Sequence, residues 1–114
     1  MNDKIMKKLT ETEKYLAYKQ FFSTFASEPR LRILNHLRRR KATVTQLQKE
    51  LHMEQTQVSH NLARLKLCGF IHSNTEGKYR KYQLCKDTIR PMLAIIDKHM
   101  SKHCIHIVRN RGKQ

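Results

Sequence analysis

From Thr43 to Gly69 the chain carries two amphipathic periods with only His52-Met53-Glu54 between them. Val44, Leu47 and Leu51 fall on one side of a short helix that runs from Gln46 to Leu51. Val58, Leu62 and Leu65 then recur at helical spacing and bury one side of a longer helix. Gly69 stands where a C-cap glycine belongs. A short helix, a tight turn and a longer helix form a helix-turn-helix. Two details fit less well: Glu54 is a mediocre N-cap by side-chain type, and no glycine occupies the turn. On the longer helix, Thr56, Gln57, His60 and Arg64 lie opposite the apolar stripe, with no acidic residue among them. Side chains of this kind read base edges in a DNA major groove. An ordinary solvated surface helix would look similar, so the flanking segments decide between the two.

Upstream, Ser27-Glu28-Pro29 starts a helix, with a capping serine, an acid at the positive end of the dipole and a proline in the first turn. Leu31, Ile33, Leu34 and Leu37 follow, and the helix ends in Arg38, Arg39, Arg40 and Lys41. Four cations there favour the helix dipole and are also placed to grip phosphates. Before this helix, the segment from Leu9 to Ala26 reads as another, with Tyr15, Tyr18, Phe22 and Phe25 as an aromatic stripe for core or subunit packing.

Downstream of Gly69 the period changes to two. Phe70 to Thr75 and Tyr79 to Cys85 are β-prone runs around Glu76-Gly77-Lys78, which predicts a hairpin with Tyr82 and Leu84 on one face. Lys78, Arg80 and Lys81 crowd its tip. Charges there protect a sheet edge, but a cationic hairpin after a helix-turn-helix is also a wing that reaches DNA phosphates, together with Lys66. The last helix begins near Asp87 and continues past His99, with Ile89, Met92, Leu93, Ile96 and Met100 as an unbroken apolar stripe, which Ile107 extends if the helix reaches it. Packing against the first helix and its equivalent in a second chain would cover that stripe. The expected dimer interface is therefore Tyr15, Tyr18, Phe22, Ile89, Met92, Leu93, Ile96 and Met100. The expected organisation is a single domain over 1–108 and a basic flexible tail over 109–114. The fold class is mainly α with a small β-hairpin, in the order α-α-α-α-β-β-α.

Charge narrows the partners. Twenty-four Lys and Arg against nine Asp and Glu give a formal +15 over 114 residues. Such excess points to a polyanion, nucleic acid before membrane. No apolar run approaches the roughly 20 residues of a membrane span, and the first eight residues hold no apolar core of a signal peptide. A cytoplasmic, nucleoid-associated protein is expected. Cys68, Cys85 and Cys104 form no CxxC pair, so reduced thiols are the default; a switch between Cys85 and Cys104 is a minor alternative. No phosphate-cradling glycine loop and no nucleophile–base arrangement is present, so catalysis is not expected.

Three stretches in order resemble the ArsR/SmtB family of winged-helix repressors. Residues Phe25 to Leu34 resemble its second-helix signature, Gln55 to Leu65 its recognition helix, and Gly69-Phe70-Ile71 with Glu76-Gly77-Lys78 and Tyr82-Gln83-Leu84 its wing. The resemblance implies a homodimer on a pseudo-palindromic operator, joined through the first and last helices, with DNA released when an effector binds. It also implies that Gln55, Gln57, Ser59, His60 and Arg64 face DNA. The family's cysteine-containing sensor motif falls at Thr43-Val44-Thr45, where no thiol stands, and the first half of its zinc-type motif falls near Lys86-Asp87-Thr88, without histidine.

No cofactor is required by this reading. A separate metal candidate remains: His99, His103 and His106 share one helical face, with Cys104 nearby, and a dimer would double the ligands for a transition-metal effector. The competing function is an abundant architectural protein that coats DNA with little sequence preference. The charge suits it; the polar face of the longer helix favours a sequence-specific regulator, because a pure phosphate binder does not need that face.

Overall fold

The computed structural model describes residues 6–110. Its elements are α1 (Glu11–Phe25), α2 (Glu28–Leu37), α3 (Val44–Leu51), α4 (Gln55–Leu67), β1 (Ile71–Glu76), β2 (Tyr79–Leu84), α5 (Ile89–Lys102) and α6 (Cys104–Asn110). The order agrees with the sequence reading, except that the last helix is two.

Local chemistry sets the boundaries. Thr10 and Glu13 form a capping box before α1, and Thr43 and Gln46 form another before α3. Ser27 caps α2 by accepting from the Arg30 amide, with Pro29 in the first turn. Glu54 makes no side-chain cap on α4. The turn before α4 manages without glycine because His52 takes the left-handed conformation, φ 54 and ψ 50, which a non-glycine residue adopts at some cost. At the other end of α4, Gly69 has φ +75. Its amide donates to the Lys66 carbonyl and that of Phe70 to the Leu65 carbonyl, at 3.0 and 2.9 Å. This is the paired bonding of a Schellman motif, and it turns the chain directly into β1.

The core lies where α2, α3, α4 and the base of the hairpin meet. Ile33, Leu34, Leu37, Leu47, Val58, Leu62, Leu65, Phe70 and Leu84 are buried there. The hairpin pairs Ile71 with Leu84 and Ser73 with Tyr82, and Gly77 (φ +64) permits its tight end. One further pairing has no signal in the residue pattern. Ala42, between α2 and α3, exchanges both backbone hydrogen bonds with Tyr82, at 3.0 and 2.8 Å. The wing is thereby stitched to the α2–α3 connection.

The terminal helices behave differently from the expectation. Phe21 and Phe25 turn inward onto Phe70, with ring centroids 5.0 and 5.7 Å away, so only the C-terminal part of α1 docks. Tyr15, Tyr18 and Phe22 remain 62, 52 and 62 % exposed. On α5, Ile89 and Leu93 are buried in the chain's own core, and Met92 packs against it. Ile89 and Leu93 therefore do not belong to an interface, because their side of α5 rests on the same chain. Ile95, absent from the expected interface, is exposed instead, beside half-buried Ile96 and exposed Met100. The last helix runs past His99 as expected and stops at Lys102, because His103 (φ −125, ψ −78) leaves helical geometry, so Ile107 falls on the separate α6. Arg109 and Asn110, expected in a flexible tail, end α6; the rest of that tail lies outside the described residues. A radius of gyration of 16.4 Å exceeds the roughly 13 Å of a compact chain near this length, as projecting terminal helices require.

Candidate nucleic-acid interface

Helix α4 presents two unlike sides. Val58, Leu62 and Leu65 are buried against α2 and α3. Gln55, Thr56, Gln57, Ser59 and His60 are all exposed, and Gln55, Thr56, Ser59 and His60 line one shallow, open hollow. Amide, hydroxyl and imidazole groups can each donate or accept, as base-edge recognition requires.

Arg64, on the same helix, is also tied to α1. Its Nε donates to Thr24 Oγ1 on α1 at 3.0 Å, and the side chain is half-buried. One edge of its guanidinium is thus held by α1, while the side chain still borders a shallow surface hollow with His60. Arg30 plays a similar part that the sequence did not reveal. It donates to the carbonyls of Thr24 and Ser23 at the end of α1, and to Asn61 Oδ1 on α4 at 3.2 Å. Asn61 in turn donates to the Gln57 carbonyl at 2.8 Å. The last turn of α1 and the middle of α4 are thus joined by a polar network. Cys68 sits at its edge, with Sγ 3.2 Å from Thr24 Oγ1. Burial pushes this thiol up, but hydrogen bonds with Thr24 and Gln20 and the Arg64 charge outweigh it and leave the thiol below its ordinary value.

The expected phosphate contacts divide in the same way. Arg38 pairs with Asp97 of α5 at 2.7 Å, and its carbonyl accepts from Arg90 at 2.7 Å. It therefore braces α5, contrary to expectation, because it caps the end of α2 where α5 crosses. Lys41 bonds to Glu76, and Lys81 lies 4.0 Å from the same carboxylate. The Lys41 hydrogen bond, opposed by slight burial and aided by both ammonium charges, holds the Glu76 carboxyl below its ordinary value. Arg39 and Arg40 are exposed, with Arg40 at the 4.0 Å limit of a pair with Glu50. Lys66, Lys78 and Arg80 are exposed and have no carboxylate partner among the described residues.

The candidate metal ligands are not gathered. His99 and His103 have ring centroids 4.5 Å apart, but the helix break at His103 ends the shared face on which His106 was expected. No group of three potential ligands forms among the described residues. The three thiols are free, with Cys104 exposed.

A helix-turn-helix with an exposed polar recognition helix, followed by a cationic two-stranded wing, defines a winged helix-turn-helix DNA-binding transcriptional regulator. Residues 27–73 match the family model described as bacterial regulatory protein, arsR family. An uncharacterized HTH-type transcriptional regulator of Methanocaldococcus jannaschii is 29% identical over 86 residues, covering 75% of this chain and 97% of that protein. Among solved structures, Rv0081 of M. tuberculosis superposes with a TM-score of 0.74 at 26% identity, over 88% of this chain and 99% of its own. HlyU of Vibrio cholerae does so with a TM-score of 0.67 at 26% identity, over 84% and 99%. A homodimeric winged helix-turn-helix DNA-binding domain from Mycobacterium bovis shares the fold, with a TM-score of 0.75 at 22% identity over 87% and 94%. The chain is thus similar, over its helix-turn-helix and the start of its wing, to bacterial regulatory proteins of the arsR family. No described helix is long and apolar enough to cross a membrane.

Proposed function

We propose that two copies of this chain bind a pseudo-palindromic operator and repress transcription, in the cytoplasm and at the nucleoid. Gln55, Thr56, Gln57, Ser59 and His60 are the base-reading set. Lys66, Lys78, Arg80, Arg39 and Arg40 hold phosphates, and position rather than specify. The observation that carries this reading is the undiluted polar face of α4, exposed while the opposite face is fully buried. A second copy is supported by the apolar residues left open on the terminal helices: Tyr15, Leu16, Tyr18 and Phe22 on α1, Ile95 and Met100 on α5, Ile107 and Val108 on α6. Apolar patches of that kind mark association surfaces. A dimer spaces two recognition helices one helical turn of DNA apart.

Capture of fragmented genomic DNA by the purified protein at near-physiological salt tests the reading. Discrete peaks containing inverted repeats are expected. A flat profile would overturn it in favour of general DNA coating. A transition-metal effector would draw on the His99–His103 ring pair with ligands from the second copy. Equal metal uptake by the wild type and a triple alanine variant of His99, His103 and His106 would dismiss that part.

A further inference from the structure

Ser73 receives two cations at once. Lys66 Nζ, from the C-terminal turn of α4, lies 3.1 Å from Ser73 Oγ. Arg80 NH1, from β2, lies 3.0 Å from the same oxygen. Both nitrogens are donors without acceptor capacity, so the hydroxyl oxygen accepts from both. A serine hydroxyl has two acceptor lone pairs and one donor hydrogen. With both lone pairs engaged, its own hydrogen remains to be donated outward.

The surroundings favour an anion there. On the face of the hairpin that carries Ile71 and Leu84, Ser73 is opposite Tyr82 and Arg80 is opposite Thr75. That face looks toward α4, and Lys66 reaches across from the helix. The acid of the wing, Glu76, is on the other face with Lys81 and is bonded to Lys41. Two positive side chains therefore converge on one neutral oxygen with no carboxylate between them. Their mutual repulsion is uncompensated in the free protein, and a third, anionic partner would relieve it.

We propose that Ser73 is a positioning residue that assembles Lys66, Arg80 and its own hydroxyl into a single three-donor clamp for one DNA backbone phosphate. The clamp bridges the recognition helix and the wing, so it takes the strand that runs between the groove entered by α4 and the groove reached by the hairpin. This rests on the DNA-binding reading above and adds to it a residue with no charge. It also makes the two cations partners in one grip rather than holders of two separate phosphates.

The test uses the full-length chain and a labelled duplex of random sequence, since phosphate binding does not depend on base sequence. Affinity is measured by anisotropy between about 50 and 200 mM salt. Ser73→Ala is expected to weaken binding about three- to tenfold, the equivalent of one net hydrogen bond, with a shallower salt dependence and an unchanged thermal midpoint. Ser73→Thr, which keeps the hydroxyl, restores both. Lys66→Gln, Arg80→Gln and the double variant each lose roughly 0.9 of log–log slope, because all three abolish the same phosphate grip. A double variant that loses about twice the slope of either single one would overturn the clamp in favour of two independent phosphate holders. Wild-type affinity and slope in Ser73→Ala would overturn it as well, as would a weakening that Ser73→Thr does not restore. Failure of the wild-type chain to bind duplex at all would instead sink the DNA-binding reading, a distinguishable result.

Discussion

Arg64 Nε and Thr24 Oγ1 lie 3.0 Å apart, so an arginine of the recognition helix is anchored on the helix that precedes the DNA-binding unit. Thr24 is fully buried and also contacts the Cys68 thiol. Thr24→Val keeps the shape and removes the hydroxyl. It should lower stability by about 1–3 kcal/mol, the cost of leaving a partly buried donor unmet, with operator preference intact. Arg64→Gln should act in the same direction. Chemical denaturation alongside operator competition checks both; a loss of base preference at unchanged stability would return Arg64 to the DNA.

The exposed face of α4 predicts the opposite pattern. Gln57→Ala and His60→Ala touch no core residue, so stability should shift by no more than about 0.5 kcal/mol. Each substitution that removes a side chain bonded to a base edge should reduce discrimination between operator and random duplex by roughly 1–3 kcal/mol. Affinity for random duplex should hold. Competition titrations with both duplexes provide the measurement, and an equal weakening on the two would remove these residues from base reading.

Association should depend on the outward residues of the terminal helices. Phe22 is 62 % exposed and Ile95 68 %, so a glutamate at either position leaves the monomer fold intact while placing charge in a desolvated interface. Phe22→Glu and Ile95→Glu should sediment as monomers and bind operator far more weakly. A wild-type chain that sediments as a monomer at working concentration would end the dimeric reading.

His36 links stability to acidity. It is 7 % exposed, its Nδ1 has no hydrogen-bond partner, and it lines a cleft of about 320 Å³ with Arg39, Arg40, Glu50 and Leu51. Burial lowers its pKa from the ordinary 6.5; Glu50 opposes this, and Arg39 and Arg40 add to it. The unfolded chain therefore takes up the proton first. Stability is fully present above about pH 6.5 and declines as pH falls below it, levelling off once the folded state is protonated too. His36→Gln should flatten that decline relative to wild type. Thermal midpoints measured from pH 7.5 down to about 5 would show parallel curves for the two proteins if His36 plays no part.

Much of this was legible from residue order. Periodicity located the first four helices, since burial repeats every turn on Val58, Leu62 and Leu65, and β-prone runs around Gly77 located the hairpin, whose Leu84 is buried. Side-chain type located the polar face of α4. Periodicity failed where the partner of a surface decides its role. The apolar stripe of α5 divides between the chain's own core, at Ile89 and Leu93, and solvent at Met100, and spacing alone assigns both to one surface. Arg38, Arg64 and Lys41 look like any free cation in sequence, yet each finds its partner far along the chain, at Asp97, Thr24 and Glu76. Ser73 was missed for the converse reason: a neutral side chain carries no compositional signal, and its meeting with Lys66 and Arg80 exists only once α4 and the wing have turned toward each other.

The stitch between Ala42 and Tyr82 bears on what the molecule can tolerate in its target. A hairpin held at its root by two backbone hydrogen bonds is a fixed jaw, and the distance from helix to wing becomes a length the protein imposes. In the operator complex proposed above, duplexes whose twist or groove width departs from that length would have to deform to be held, and the calliper itself would sort sequences by their stiffness, including at base pairs no side chain reaches.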